Sequence, residues 1–184
     1  MQELKENKNL KEMTLEDLWL LFPIIITPHN SLWMKWADEE IESLHHLLKA
    51  YNPIINHIGS TAIPEIQAKP IIDILIELPY SEEWNKVIEI METHGYIMMA
   101  QAEKRLSFNK GYTLSGYAEK VFHIHFHEIG DRDEIIFRNY LIAHPDIAKE
   151  YESLKLSLLP RYRNNRDGYT KAKTDFIKGV IDLA

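Results

Sequence analysis

The sequence contains no cysteine, which excludes disulfides, thiolate metal sites and thiol nucleophiles together. It also lacks a long apolar run. The most apolar stretch near the start, Leu18 to Ile26, is far short of the roughly 20 residues that cross a bilayer, and the charged opening Met1-Gln2-Glu3-Leu4-Lys5 does not read as a secretory leader. These absences point to a cytoplasmic protein with no membrane partner. Cations are in deficit: 21 Lys and Arg against 28 Asp and Glu leave a net charge of −7. That balance argues against extended nucleic-acid binding, whose affinity comes from Lys and Arg neutralising phosphates, but leaves room for a local basic pocket that takes a small phosphate ligand. With 184 residues, 45% of them hydrophobic and 27% charged, the chain has the material for one compact domain with its own core.

Residues 1–13 are polar, without apolar periodicity, and are expected to fray. Thr14 then reads as a helix N-cap with Asp17 three places on, and Pro23 stops that helix. A longer helix is expected from the spacing of Leu32, Trp36, Ile41, Leu44 and Leu48, ended by Asn52-Pro53. Strands are expected over Ile54 to Ile58 and Ile71 to Leu78, then a helix over Glu82 to His94 capped by Gly95. Further strands are expected over Tyr96 to Gln101, Arg105 to Asn109 and Lys120 to His127, the last two joined by a turn-rich link containing Gly111 and Gly116. The remainder is helical in pattern: Ile135 to Ala143, Pro145 to Leu158 and Tyr169 to Leu183. Strands in the middle and helices at both ends imply an α+β fold.

Four groups of residues could carry chemistry. Gly59-Ser60-Thr61 follows an apolar strand, where a turn would offer backbone N–H groups and two hydroxyls to an anion; an ordinary turn is the plainer reading. Asp73 sits inside Ile71-Ile72-Asp73-Ile74-Leu75-Ile76, where a carboxylate needs a metal or a partner such as Lys69. A two-metal site would want a second carboxylate at the next same-face position, which is Leu75; Glu77 is about 13 Å from Asp73, too far for metals about 4 Å apart. His123-Ile124-His125-Phe126-His127 puts three imidazoles on one strand face about 6.6 Å apart, either as ligands shared with His57 or as the polar side of an amphipathic strand. Arg105 and Lys110 could counter a ligand's negative charge or be surface cations.

Taken together these segments resemble the GrpB family, related to the nucleotidyltransferase fold. The resemblance rests on His57-Ile58-Gly59-Ser60-Thr61-Ala62-Ile63-Pro64, Ala68-Lys69-Pro70-Ile71-Ile72-Asp73-Ile74 and His123-Ile124-His125-Phe126. It continues through Phe137-Arg138-Asn139-Tyr140-Leu141, His144-Pro145, Tyr151, Leu154-Lys155 and Tyr169-Thr170-Lys171-Ala172-Lys173. It implies one domain over residues 14–184, a mixed β-sheet flanked by helices. A nucleotide or other phosphorylated small molecule would lie at Gly59, Ser60, Thr61 and Lys69, with Arg105 and Lys110 as further cations. Asp73 and His125 would be the catalytic pair, and a divalent ion (Mg, Mn or Zn) would be held by Asp73 and His125 with His57 or His123. Two departures from the family's usual pattern bear on this: Leu75 stands where active transferases carry an acid, and Glu65 stands where glycine commonly follows the proline. Nucleotidyl transfer, a catalytically inactive binding module and metal-dependent hydrolysis at the histidines are the three functions left in play.

Overall fold

The computed structural model describes residues 10–79 and 84–184. Residues 1–9 of the expected frayed segment lie outside the described residues, and Leu10–Glu12 forms a single 3-10 turn. Thr14 caps α1 (Leu15–Leu21), accepting the Asp17 N–H at 3.1 Å. After Pro23, Ile24 donates its N–H to the Arg163 carbonyl, and Thr27 exchanges two backbone hydrogen bonds with Ala68. Helix α2 (Leu32–Leu47) follows, then β1 (Ile54–Ile58), β2 (Ile72–Leu78), α3 (Trp84–Thr93), β3 (Ile97–Ala102), β4 (Arg105–Thr113) and β5 (Gly116–Glu128). Four helices complete the chain: α4 (Asp133–Ala143), α5 (Pro145–Tyr162), α6 (Arg166–Ala172) and α7 (Thr174–Ile181). Among the described residues no helix is long and apolar enough to cross a membrane.

The five strands form one mixed sheet in the order β1-β2-β5-β4-β3, with β2 and β5 parallel and the other pairs antiparallel. Strand alternation divides its side chains. Ile72, Ile74 and Ile76 of β2, Phe122, Ile124 and Phe126 of β5, and Leu106 and Phe108 of β4 join Ala37 and Leu44 of α2 and Val87 and Met91 of α3 in the main core. Each large apolar side chain so buried contributes roughly 1.5–3 kcal/mol. The opposite parity puts Asp73, Leu75, Glu77, His123, His125, His127, Arg105, Ser107 and Asn109 on the other face. A second core joins Ile63 and Ile66, from the loop after β1, to Phe137, Leu141, Tyr151 and Val180 of the C-terminal helices. That core presses the loop and the helices together beside the polar face.

Two expected boundaries move. The link holding Gly111 and Gly116 is no loose connection: β4 and β5 run on through it as a hairpin, with the register shifted between Lys110 and Tyr112. Gly111 makes the shift possible, because it adopts φ +89° and a Cβ there would lie 2.2 Å from the Lys120 carbonyl oxygen. The last expected helix is broken at Lys173 into α6 and α7.

Candidate functional site

The site begins where β1 ends. Gly59 turns the chain with φ +70°, and a Cβ at that position would stand 2.5 Å from Asp73 Oδ2, so only glycine lets the turn lie against the Asp73 carboxylate. Ser60–Ala62 coils into a 3-10 turn. Ser60 is half-buried, with the Tyr151 hydroxyl beside it. Thr61 is buried: its hydroxyl donates to the Ile71 carbonyl at 3.4 Å and meets His57 Nε2 at 2.9 Å, so it braces the turn from inside instead of facing a ligand.

Pairing in register sets Asp73 beside His123, and Leu75 beside His125. His123 Nδ1 lies 3.3 Å and His125 Nε2 3.6 Å from Asp73 Oδ1, and one ligand atom from each residue falls within 4.8 Å of the other two. Burial alone would push the Asp73 carboxyl up, but hydrogen bonding to His123 and His125 and their nearby charge hold it far below the usual carboxylate range. His123 is pushed down by burial, which favours its neutral, ligating form. One carboxylate and two imidazoles on one sheet face are a donor set that fits a divalent ion, and the imidazoles suit zinc or another transition ion better than magnesium.

Four expected members are not at this cluster. His57 stands opposite Ile74, so it points to the face away from Asp73; burial lowers its pKa to about 4, and its Nδ1 is buried without a hydrogen-bond partner. Lys110 also has core-face parity, where it donates to Glu40 Oε1 and Oε2 at 2.7 and 3.0 Å beside a groove of about 560 Å³ lined in part by Glu39, His46 and His94. Arg105 shares the polar face but sits at its far end, bound to Asp131 Oδ2 through Nε at 3.1 Å and Nη2 at 2.7 Å. His127 joins that far group, 3.4 Å from Asp131 and 3.7 Å from Glu134. Glu77 is fully buried and accepts from Arg132 Nε at 2.8 Å and from the Gly130 N–H at 3.1 Å, a structural role.

The residues that sequence reasoning missed come from the C-terminal helices. Tyr169 and Lys173 meet the expected Lys69 there: the Lys69 and Lys173 ammonium groups lie 5.8 and 4.8 Å from the Tyr169 ring centroid, and among the described residues neither has an ion pair or hydrogen bond. Burial, then the charge of Lys173, pushes Lys69 down to about 8, and burial likewise lowers Lys173. Both lysines feel the Asp73 charge. Arg166 donates to the hydroxyls of Tyr112 and Tyr117, and Tyr112 touches His123. A signal was present in the spacing: Arg166, Tyr169 and Lys173, at i, i+3 and i+7, share one helical face.

The family profile described as GrpB protein matches residues 23–182, a span that holds the loop glycine, the strand carboxylate and the histidine pair. The chain belongs to the GrpB family. Protein YqkA of Bacillus subtilis is 36% identical over 159 residues, covering 85% of this chain but 46% of its own, so the chain spans about half the length of that relative. The crystal structure of the conserved GrpB protein from Enterococcus faecalis superposes with a TM-score of 0.73 at 31% identity, covering 86% of this chain and 96% of the other. A cytoplasmic RNA terminal U-transferase shares the fold at a TM-score of 0.52 and 12% identity, over 80% of this chain and 48% of the other. This GrpB-family chain therefore has a nucleotidyltransferase-like α+β fold.

Proposed function

We propose that the protein binds a nucleotide or another phosphorylated small molecule together with one divalent ion, and transfers a nucleotidyl group from that ligand, in the cytoplasm. The observation that carries this reading is the convergence of Asp73, His123 and His125 beside the Gly59-Ser60 turn, with the cations Lys69 and Lys173 nearby over the Tyr169 ring. Two half-buried ammonium groups that make no ion pair among the described residues repel each other and are poorly solvated, and a phosphate between them would relieve both costs. Asp73, His123 and His125 would hold the ion, which would polarise a phosphoryl oxygen as a Lewis acid. His125 is the most open of the three, with 36% of its side chain exposed, so the ligand approaches from its side. Ser60 and the turn's backbone would orient the phosphate, and Lys69 would offset its charge.

Calorimetric titration with nucleoside triphosphates in the presence of Mg²⁺, Mn²⁺ or Zn²⁺ tests the reading. Binding strengthened by Mn²⁺ or Zn²⁺ is expected; absence of binding under every condition would overturn it. A second reading, the same site as a binding module without turnover, is favoured by one specific observation. Leu75 is fully buried where a second metal-bridging carboxylate would be needed. Incubation with labelled nucleoside triphosphates separates the two, since transfer abolished by Asp73→Ala supports the enzyme and nucleotide binding without transfer supports the module.

A further inference from the structure

His123 is held more firmly than a metal ligand alone would need. Its ring lies 19° from parallel with that of Tyr112, centroids 5.9 Å apart, and its Nε2 is 2.7 Å from the Tyr112 hydroxyl. Arg166 Nη1 donates to that same hydroxyl at 2.9 Å, and the guanidinium lies over the rings of Tyr112 and Tyr117 at 5.4 and 5.8 Å. Phe22 closes the cluster against both tyrosines, with centroids 4.7 and 5.2 Å away. Arg166 keeps its Nε buried and without a hydrogen-bond partner, a cost that its own packing does not explain.

We propose that Tyr112 and Arg166 are positioning residues for the metal-ligating histidine. They fix which ring nitrogen His123 turns toward Asp73 and hold the ring there, although neither touches the ion. The inference rests on the metal reading above and adds to it a dependence on two residues that carry no ligand atom.

The hydrogen-bond chain gives the direction. An ionised Asp73 carboxylate only accepts, so in the metal-free protein the neutral His123 carries its hydrogen on Nδ1 and presents a bare Nε2. Tyr112 donates into Nε2 while its oxygen takes the Arg166 N–H, so donation runs one way from Arg166 through Tyr112 and His123 to Asp73. An ion can use Nδ1 only in the other tautomer, whose hydrogen is on Nε2. A phenol can accept as well as donate, so Tyr112 holds the ring in both states. Phenylalanine would keep the stacking and lose the hold. Partners of this kind behind a ligating histidine are worth 10–100-fold in metal affinity.

The test uses cobalt(II) as the probe, followed by calorimetry and visible absorbance, on the full chain with Tyr112→Phe and Arg166→Gln. Both variants are expected to bind cobalt about 10–100-fold more weakly than wild type. In parallel, ¹⁵N NMR of the metal-free wild type is expected to show His123 as the Nδ1–H tautomer, with a mixture of tautomers in Tyr112→Phe. Wild-type cobalt affinity in the Phe variant, or an Nε2–H tautomer in the metal-free wild type, would overturn the proposal. Failure of the wild type to bind cobalt would overturn the metal reading instead, and the tautomer measurement would then decide the brace alone. Should Arg166→Gln not fold, the Phe variant and the tautomer carry the test.

Discussion

Single residues in and around this site are held to narrow tolerances, and three of them can be tested by stability. Gly59→Ala would force a Cβ to within 2.5 Å of the Asp73 carboxylate at a φ of +70°, so a loss of about 1–3 kcal/mol is expected in denaturant unfolding, together with loss of metal binding. Glu65 occupies the left-handed region at φ +62°, which costs a residue with a Cβ and favours glycine. Its backbone carbonyl, not its side chain, receives Lys149, so Glu65→Gly should keep that contact, relieve the strain and gain roughly 1 kcal/mol, read as a higher unfolding midpoint. His57 contributes through pH. Its folded pKa of about 4 lies below the ordinary 6.5, so the native state binds fewer protons. Its stabilisation is complete above pH 6.5 and is lost as pH falls toward 4, up to about 3 kcal/mol. The wild type should therefore lose more stability than His57→Gln across that window, and equal slopes for the two proteins would contradict the buried, neutral assignment.

At the scale of elements, one helix fastens the loop that follows the Gly59-Ser60 turn. Helix α5 supplies Glu152, which accepts the Gln67 N–H, Lys155, which donates to the Gln67 carbonyl, and Lys149, which donates to the Glu65 carbonyl. Burial holds Lys155 down to about 7, against the pull of Glu152. Glu152→Ala leaves the Gln67 N–H without its partner and should cost about 1–3 kcal/mol in thermal or denaturant unfolding, with the unfolding remaining cooperative. This clamp was not legible beforehand, because nothing in the local pattern of Tyr151 to Lys155 says which distant loop a helix will meet. The strands were legible because alternation is local: Asp73 among isoleucines and the spaced histidines declared their shared face. The same alternation, counted one residue further, would have removed Lys110 and His57, whose parity opposes that of Asn109 and Ile58. The hairpin through Gly111 and Gly116 was hidden because glycine marks a bulge and a loop alike, and only the partner strand separates the two.

In the whole molecule, the sheet supplies one half of the site and the C-terminal helices the other. Asp73, His123 and His125 come from adjacent parallel strands, while Arg166 and Tyr169 of α6 and its C-cap Lys173 lie about a hundred residues beyond Gly59. A chain with a net charge of −7 thereby concentrates cations at one place. Because metal and phosphate would bridge both halves, ligands should stabilise the fold as a unit. A metal ion at a hundred times its dissociation constant is expected to add about 2.7 kcal/mol, and Asp73→Ala should abolish the rise in unfolding temperature.

The most direct measurement is anomalous X-ray diffraction from crystals soaked with manganese or zinc. One strong peak is expected about 2.0–2.2 Å from Asp73 Oδ1, His123 Nδ1 and His125 Nε2, absent in Asp73→Ala. A peak only at His127, Asp131 and Glu134, or none at either group, would contradict it.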